Sequence, residues 1–329
     1  MALVTGGAGF IGSHIVDNLV SKGATVRVLD NLTTGRIGNL SGSMKRGQVS
    51  FLKGNITDLG VVRRAVRGAS TIFHEAALVE VPRSYKNPRL VHKVNVEGTL
   101  NLLEASRRYD VERFVFASSS SVYGDTECPA REDFNLRPKS PYAVSKLAAE
   151  EYCQVYWRAY GLSTVSLRYF NVYGPRQMGG PYSGVISVFA RAISEGRTLV
   201  VNGGGGQVRD FVHVNDVSDA NVRAAVAGGV DSEVFNLGTG KATSIDELAR
   251  TMLRLSRHPH FEAEHVPARA GDVSYSCADI TKAASRLAYT PRIELEEGIE
   301  GILDWFARIS RHQSGEGSSP RPTCLSGHR

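Results

Sequence analysis

Leu3-Val-Thr-Gly6-Gly-Ala-Gly9-Phe-Ile-Gly12-Ser-His14 carries a short apolar run into spaced glycines and out into an amphipathic segment. Phe10, Ile11, Ile15, Leu19 and Val20 recur there at the spacing of one buried helical face. Gly6 permits a tight turn, Gly9 lets backbone approach a pyrophosphate, and Gly12 lets the helix pack closely on the strand. The helix N-terminus then offers unpaired N–H groups to an anion. Ala24-Thr-Val-Arg-Val-Leu-Asp30 follows as a second strand ending in an acid about twenty residues on, where a ribose diol would be hydrogen-bonded. A carboxylate at that place repels a 2′-phosphate, so the pattern selects NAD over NADP. The competing reading is an ordinary strand-turn-helix with an aspartate in the next turn; the strand-to-helix context and the placed acid favour the dinucleotide.

Outward from this stretch, strand-like runs near Val49–Leu52, Thr71–His74, Arg113–Ala117 and Thr164–Arg168 alternate with helical patterns at Leu90–Tyr109 and Pro141–Tyr160. Such βα alternation predicts an α/β fold of the Rossmann type, a doubly wound parallel sheet covered on both faces. Ligands on these sheets lie beyond the carboxyl ends of strands, where Ser118–Ser121 and Asn171 fall. From Gly174 the pattern loosens. A glycine run occupies Gly203–Gly206, short strands are expected near Arg209–His213 and Val234–Asn236, and helices near Val185–Glu195, Ser244–Leu255 and Glu296–Ile309. The expected organisation is a dinucleotide domain over residues 1–173, with later segments able to cross back, a smaller C-terminal α/β substrate lobe over 174–310, and a disordered tail over 311–329.

The net charge of +6 suggests nucleic acid at first sight, but Arg308, Arg311, Arg321 and Arg329 against Glu316 make the C-terminal stretch +3, half of the total. The remaining body is only mildly basic, and no nucleic-acid partner is expected. No stretch approaches the roughly twenty apolar residues of a membrane span, and the sequence opens inside a strand with no room for a signal peptide. A cytoplasmic protein without a membrane partner is therefore expected. Cys128, Cys153, Cys277 and Cys324 show neither metal-ligand spacing nor short-range pairing, which implies reduced thiols and no metal site.

Chemistry enters with Ser140-Pro-Tyr142-Ala-Val-Ser-Lys146. Four residues apart on a helix, Tyr142 and Lys146 share one face, and a phenol held beside an ammonium can become a base. Free tyrosine titrates near 10, so a base useful at neutral pH needs a shift of roughly three units, about 4 kcal/mol in favour of the phenolate. A neighbouring cation is expected to supply it.

With the glycine turn, Asp30, Ser119, Tyr142 and Lys146 in order, the chain resembles the extended short-chain dehydrogenase/reductase family, in its nucleotide-sugar epimerase and dehydratase branch. The resemblance covers nearly everything before the tail. It includes His74-Glu-Ala-Ala77, Asn95-Val-Glu-Gly-Thr99, Ala117-Ser-Ser-Ser-Ser-Val-Tyr123-Gly, Leu167-Arg-Tyr-Phe-Asn171-Val-Tyr-Gly-Pro175-Arg, Arg209-Asp-Phe-Val-His213 and Arg269-Ala-Gly-Asp272. The resemblance implies Tyr142 as the base, Lys146 as the grip on the nicotinamide ribose, and Ser119 as the partner of the reacting sugar hydroxyl. It implies cofactor contacts at Gly6, Gly9, Phe10, Ile11, Gly12, Asp30, Asn31, Asn55, Ile56, Ala76, Ala77, Asn95, Ser118 and Tyr169, besides Tyr142 and Lys146. Implied substrate contacts are Ser119, Ser120, Asn171, Val185, Arg209, Arg269, Asp272 and Ser276, with both arginines on the pyrophosphate and Asp272 on its ribose. Asn55 stands where the family usually has Asp, and its amide both donates and accepts.

The reaction so implied is NAD-dependent C4 epimerisation of a UDP-hexose through a transient 4-keto sugar. Dehydratases of the branch carry an Asp-Glu pair after the catalytic Thr, and its decarboxylases place Glu where Ser121 stands. Ser120 and Ser121 are poor acids and bases near neutral pH. A uronate 4-epimerase tends to have Thr and Arg where this chain has Asn171 and Met178. Ser276 falls where epimerases set pocket width, and Val81-Pro-Arg-Ser84 resembles the loop of those acting on UDP-GlcNAc and UDP-GalNAc, so both UDP-Glc/UDP-Gal and their N-acetyl forms are expected substrates. Glu80 in that loop either faces sugar hydroxyls or is a solvated charge. A UDP-glucuronate 4-epimerase, a net oxidoreductase or lyase on the same fold, and an NAD-binding sensor without turnover are the other readings; intact Ser119, Tyr142 and Lys146 argue against the sensor. The family further implies a homodimer through the Leu90–Tyr109 and Pro141–Tyr160 helices.

Overall fold

The computed structural model describes residues 1–178, 184–256, 263–268 and 273–315, the last five as backbone. β1 (Ala2–Thr5), β2 (Val26–Asp30), β3 (Val49–Lys53), β4 (Thr71–His74), β5 (Arg113–Ser119), β6 (Thr164–Tyr169) and β7 (Glu233–Leu237) form one sheet in the order β7-β6-β5-β4-β1-β2-β3. Every pairing in it is parallel. Both faces of the central strands are covered, so that every residue of β1 and β6 is buried, including Thr164, Ser166 and Arg168. α1 (Phe10–Ser21) covers one face, and α2 (Leu59–Val66), α3 (Gly98–Arg108) and α4 (Pro141–Tyr160) cover the other. The strand order reverses at β1, with β2 on one side and β4 on the other, and the glycine turn leaves β1 at that crevice.

α5 (Val185–Ser194), α7 (Ile245–Leu255) and α8 (Leu295–Gly315) form a second core with Tyr173, Leu199, Val201 and Phe211, while α6 (Val214–Val226) returns to pack beside α1. Short strands frame this lobe. Asn171–Tyr173 runs parallel to Phe211–His213, and Val208–Arg209 lies between Thr243–Ser244 and Tyr275–Ser276.

Several sequence expectations change in detail. The strand expected at Val234–Asn236 is β7 of the large sheet, so the chain does cross back after residue 174. The strand expected at Arg209–His213 breaks at Asp210, whose side chain is fully occupied elsewhere. The helix expected over Leu90–Tyr109 is Pro88–His92, a π-helical turn at Lys93–Glu97, and then α3. The wider turn carries Asn95, and one-turn π insertions of this kind re-aim side chains at functional sites. α8 runs on to Gly315, past residue 311 where the tail was expected to begin, and residues 316–329 lie outside the described ones. Among the described residues no helix is long and apolar enough to cross a membrane, and no group of His, Cys, Asp or Glu is arranged to hold a metal.

Candidate active site

The crevice begins at the glycine turn. Gly6 has φ +67° and donates its N–H to Leu29 O at 2.8 Å. A Cβ on Gly12 would collide with Gly6 O, and one on Gly9 would stand 3.0 Å from the same atom, so the turn and the helix meet at backbone distance. α1 starts from Gly9 without a side-chain cap, which leaves its first N–H groups to an anion. Phe10 and Ile11 stay half-buried at that rim.

Asp30 closes the far side. Its Oδ2 accepts from Ala8 N at 3.0 Å and its Oδ1 from Leu32 N at 2.7 Å. A carboxylate has about four acceptor positions, so both oxygens can still take a diol. Asn31 and Asn55 are exposed and each folds into a local turn, accepting from Thr33 N and Thr57 N, both at 3.0 Å. Asn55 Oδ1 keeps a second lone pair, so its amide can still both accept and donate. Ile56 is buried against Gly98, and Ala76 and Ala77 follow β4 so close to the turn that a Cβ on Gly6 would stand 2.8 Å from Ala76 N. The glycine turn, the uncapped start of α1 and the open acceptor positions of Asp30 make a cradle that fits a dinucleotide.

Tyr142 and Lys146 stand on the first turns of α4, which Ser140 caps by accepting from Ala143 N at 3.1 Å and which Pro141 begins. Both are buried. Lys146 Nζ donates to Ala117 O at 2.8 Å, near the end of β5, and Ser119 at that strand end accepts from Ser121 N at 3.2 Å and stands close enough to the Tyr142 phenol to ease its ionisation. Burial pushes the Lys146 ammonium down to about 8. Burial likewise pushes the Tyr142 phenol up to about 12; Ser119 pulls it back and Glu75 adds to the rise. The expected lowering of the phenol by its neighbouring lysine is therefore overturned: loss of water outweighs the other influences, and the ammonium is already engaged by a carbonyl.

Asn95 ties the site together. Its Oδ1 accepts from Leu78 N at 2.8 Å, and its amide donates to Leu78 O and to Ser145 Oγ, each at 3.0 Å. Ser120 is half-buried beside Ser119. Ser118 is not brought to the crevice, because successive strand residues alternate faces; its hydroxyl donates to Glu150 at 2.7 Å within the protein. Ser121 Oγ is buried with no hydrogen-bond partner among the described residues. Tyr169 Oη reaches Glu75 Oε1 at 2.8 Å and Asn221 of α6 at 3.0 Å.

In the C-terminal lobe Arg209 and Ser276 are register neighbours in adjacent strands. Arg209 Nη1 donates to Val208 O at 2.8 Å, Asn171 Nδ2 donates to Asp210 O at 3.3 Å, and Val185 opens α5. Arg269 and Asp272 lie outside the described residues. Glu80 precedes the Val81–Lys86 helix, half-buried, without capping it.

Three supports carried no role in the sequence reading. Asp210 holds Thr239 N and Oγ1 at 2.7 Å, Gly240 N at 2.9 Å and Ala278 N at 3.1 Å, fixing the strand that carries Arg209. Glu150 pairs with Arg168 through two bonds of 2.5 and 3.1 Å under the catalytic helix. Its position four residues after Lys146 was a usable signal. Glu75 lies inside the His74-Glu-Ala-Ala77 motif, but nothing local marks its contacts with Tyr169.

A family model described as the NAD dependent epimerase/dehydratase family matches residues 2–238. The chain is 40% identical over 317 residues to a putative UDP-glucose 4-epimerase of Methanocaldococcus jannaschii, covering 94% of this chain and all of that protein. Its structure is similar to that of UDP-glucose 4-epimerase from Thermotoga maritima with UDP-glucose, at TM-score 0.89 and 38% identity over 94% of this chain and 99% of that one. It is also similar to the Thermus thermophilus UDP-glucose 4-epimerase complex with NAD, at TM-score 0.85 and 39% identity over 93% and 98% of the two chains. Dehydratases and a decarboxylase are among other relatives, at 32–34% identity.

Proposed function

Because the chain belongs to the NAD dependent epimerase/dehydratase family, a family of enzymes whose cofactor is NAD, we propose that it interconverts UDP-hexoses at C4. The observation that carries this reading is the turn beside Tyr142, where Ser119 accepts from Ser121 N at 3.2 Å and the next side chains, Ser120 and Ser121, are neutral hydroxyls. Elimination of water needs an acid and a base beyond the tyrosine, and hydroxyls supply neither near neutral pH.

Bound NAD supplies a two-electron acceptor that takes the C4 hydrogen with its electron pair and returns it, and its oxidised ring brings a positive charge. Ser119 orients the sugar O4 toward Tyr142, and Tyr142 holds the O4 proton while the carbonyl exists. Lys146, anchored on Ala117 O, would fix the nicotinamide ribose. Asn95 and Ser140 hold the helix start that carries the phenol. Arg209 grips the pyrophosphate, whose oxygens a planar guanidinium fork can meet two at a time. Arg269 and Asp272 are proposed for the same nucleotide. Small, neutral Ser276 and Asn171 leave the sugar room to turn and to carry an N-acetyl group.

Val144 and Val155 on the outer face of α4 are 52% and 43% exposed, and Val144 borders a groove of about 670 Å³ shared with Pro88, His92 and Val96. This face supports a homodimer; sedimentation at micromolar concentration is expected to give twice the chain mass, and a monomer there contradicts it. The activity is tested by incubating purified protein with UDP-Glc and, separately, UDP-GlcNAc, then separating the sugars. C4 epimers are expected from both. Absence of an epimer from either rejects the assignment, and a stoichiometric 4-keto product assigns a lyase instead.

A further inference from the structure

Glu75 is a half-buried carboxyl that the epimerase mechanism does not use. It follows β4 directly, where the chain passes against Gly6. Tyr169 Oη, from the end of β6, donates to its Oε1 at 2.8 Å, and Asn221 of α6 holds that hydroxyl in turn through Nδ2 at 2.8 Å. Oε2 has no hydrogen-bond partner among the described residues. Tyr142 and Lys146 of α4 are within electrostatic reach. His74, the adjacent residue, is turned away and bonded to Thr5 and Thr99.

A negative charge here works against the base, since it disfavours the Tyr142 phenolate. Lys146 is the cation at hand, and it is already bonded to Ala117 O. The charge that comes and goes in this crevice is that of the nicotinamide ring, cationic when oxidised and neutral when reduced. We propose that Glu75 is the counter-charge of that ring, stabilising the oxidised cofactor over the reduced one, so that the enzyme resists being stranded in the reduced form between turnovers. This inference rests on the proposed NAD-dependent reaction. The balance is that of the epimerisation itself: two electrons and one hydrogen leave sugar C4 and return to it, and Glu75 alters only the equilibrium between the halves.

Burial pushes the Glu75 carboxyl up to about 7, while the Tyr169 hydroxyl and the Lys146 charge pull it down. Its charge is thus present above that region and lost as pH falls through it. The test equilibrates purified holoenzyme with a redox dye couple and reads bound reduced nicotinamide by its near-ultraviolet absorbance. Glu75→Gln keeps the shape and the Tyr169 hydrogen bond but removes the charge. It is expected to raise the ratio of reduced to oxidised cofactor about tenfold at a fixed dye potential, equivalent to about 30 mV for a two-electron couple. Tyr169→Phe lets the carboxyl rise further, so it is read well above pH 7, where the charge is retained, and is expected there to shift the ratio far less. Equal ratios in wild type and Glu75→Gln overturn the proposal. Should that variant fail to fold, wild type alone decides: its ratio must climb more steeply with falling pH than that of free cofactor, and parallel slopes overturn the proposal. If wild type binds no dinucleotide by calorimetry, the epimerase reading fails first, and that outcome is distinct from either.

Discussion

On the cofactor side of the crevice Asp30 is pinned by Ala8 N and Leu32 N, Lys146 by Ala117 O, and Asn95 by Leu78 and Ser145. On the sugar side the pinning lies one residue away. Asp210 takes the buried bonds, while neighbouring Arg209, Asn171 and Ser276 stand on short strand ends. The difference matches what each ligand must do. A dinucleotide that gives back what it takes must stay fixed, whereas a sugar whose two faces are used in turn needs room.

The sharpest way to break this comparison is Tyr142→Phe, which leaves the packing and removes the proton acceptor. The epimerisation rate is expected to fall about 10²- to 10⁴-fold with an unchanged circular dichroism spectrum. Arg168→Met leaves Glu150 buried without its cation and is expected to cost about 3–5 kcal/mol in denaturant unfolding. A milder test uses acid. Burial holds His74 at about 3, below the ordinary 6.5, so the unfolded chain binds a proton that the native chain does not. Its contribution to stability is complete above 6.5 and declines as pH falls toward about 3, by about 1.4 kcal/mol per pH unit; thermal melts across that window check the sign.

Two smaller effects separate the halves directly. Gly12→Ala forces a Cβ into Gly6 O, so the turn must open. NAD affinity by calorimetry is expected to drop about tenfold, consistent with a few kcal/mol of overpacking shared with stability. Ser276→Tyr narrows the sugar side alone. It is expected to lower kcat/KM for UDP-GlcNAc about 10- to 200-fold relative to UDP-Glc, with NAD binding untouched.

The legible parts of the site were those in which chemistry demands a residue type at a fixed spacing. Gly6, Gly9, Gly12 and Asp30 announce a cradle, and Tyr142 with Lys146 announces a shared helical face. Contacts made by tertiary packing were not legible. Glu75 and Tyr169 are 94 residues apart in sequence, and Glu150 meets Ser118 across 32. The Tyr142 shift was misjudged in sign because spacing shows the nearby ammonium and not the missing water. The sequence reading allowed later segments to cross back without naming β7, since a short apolar strand reads the same whichever sheet receives it.

The central claim is that the crevice takes hydrogen from C4 and gives the same hydrogen back. Conversion of UDP-glucose deuterated at C4 tests it most directly, with mass spectrometry of the product and absorbance of reduced cofactor followed together. The account requires UDP-galactose that keeps its deuterium and cofactor that returns to the oxidised state. Deuterium washed out to water, or reduced NAD accumulating in step with product, would contradict it.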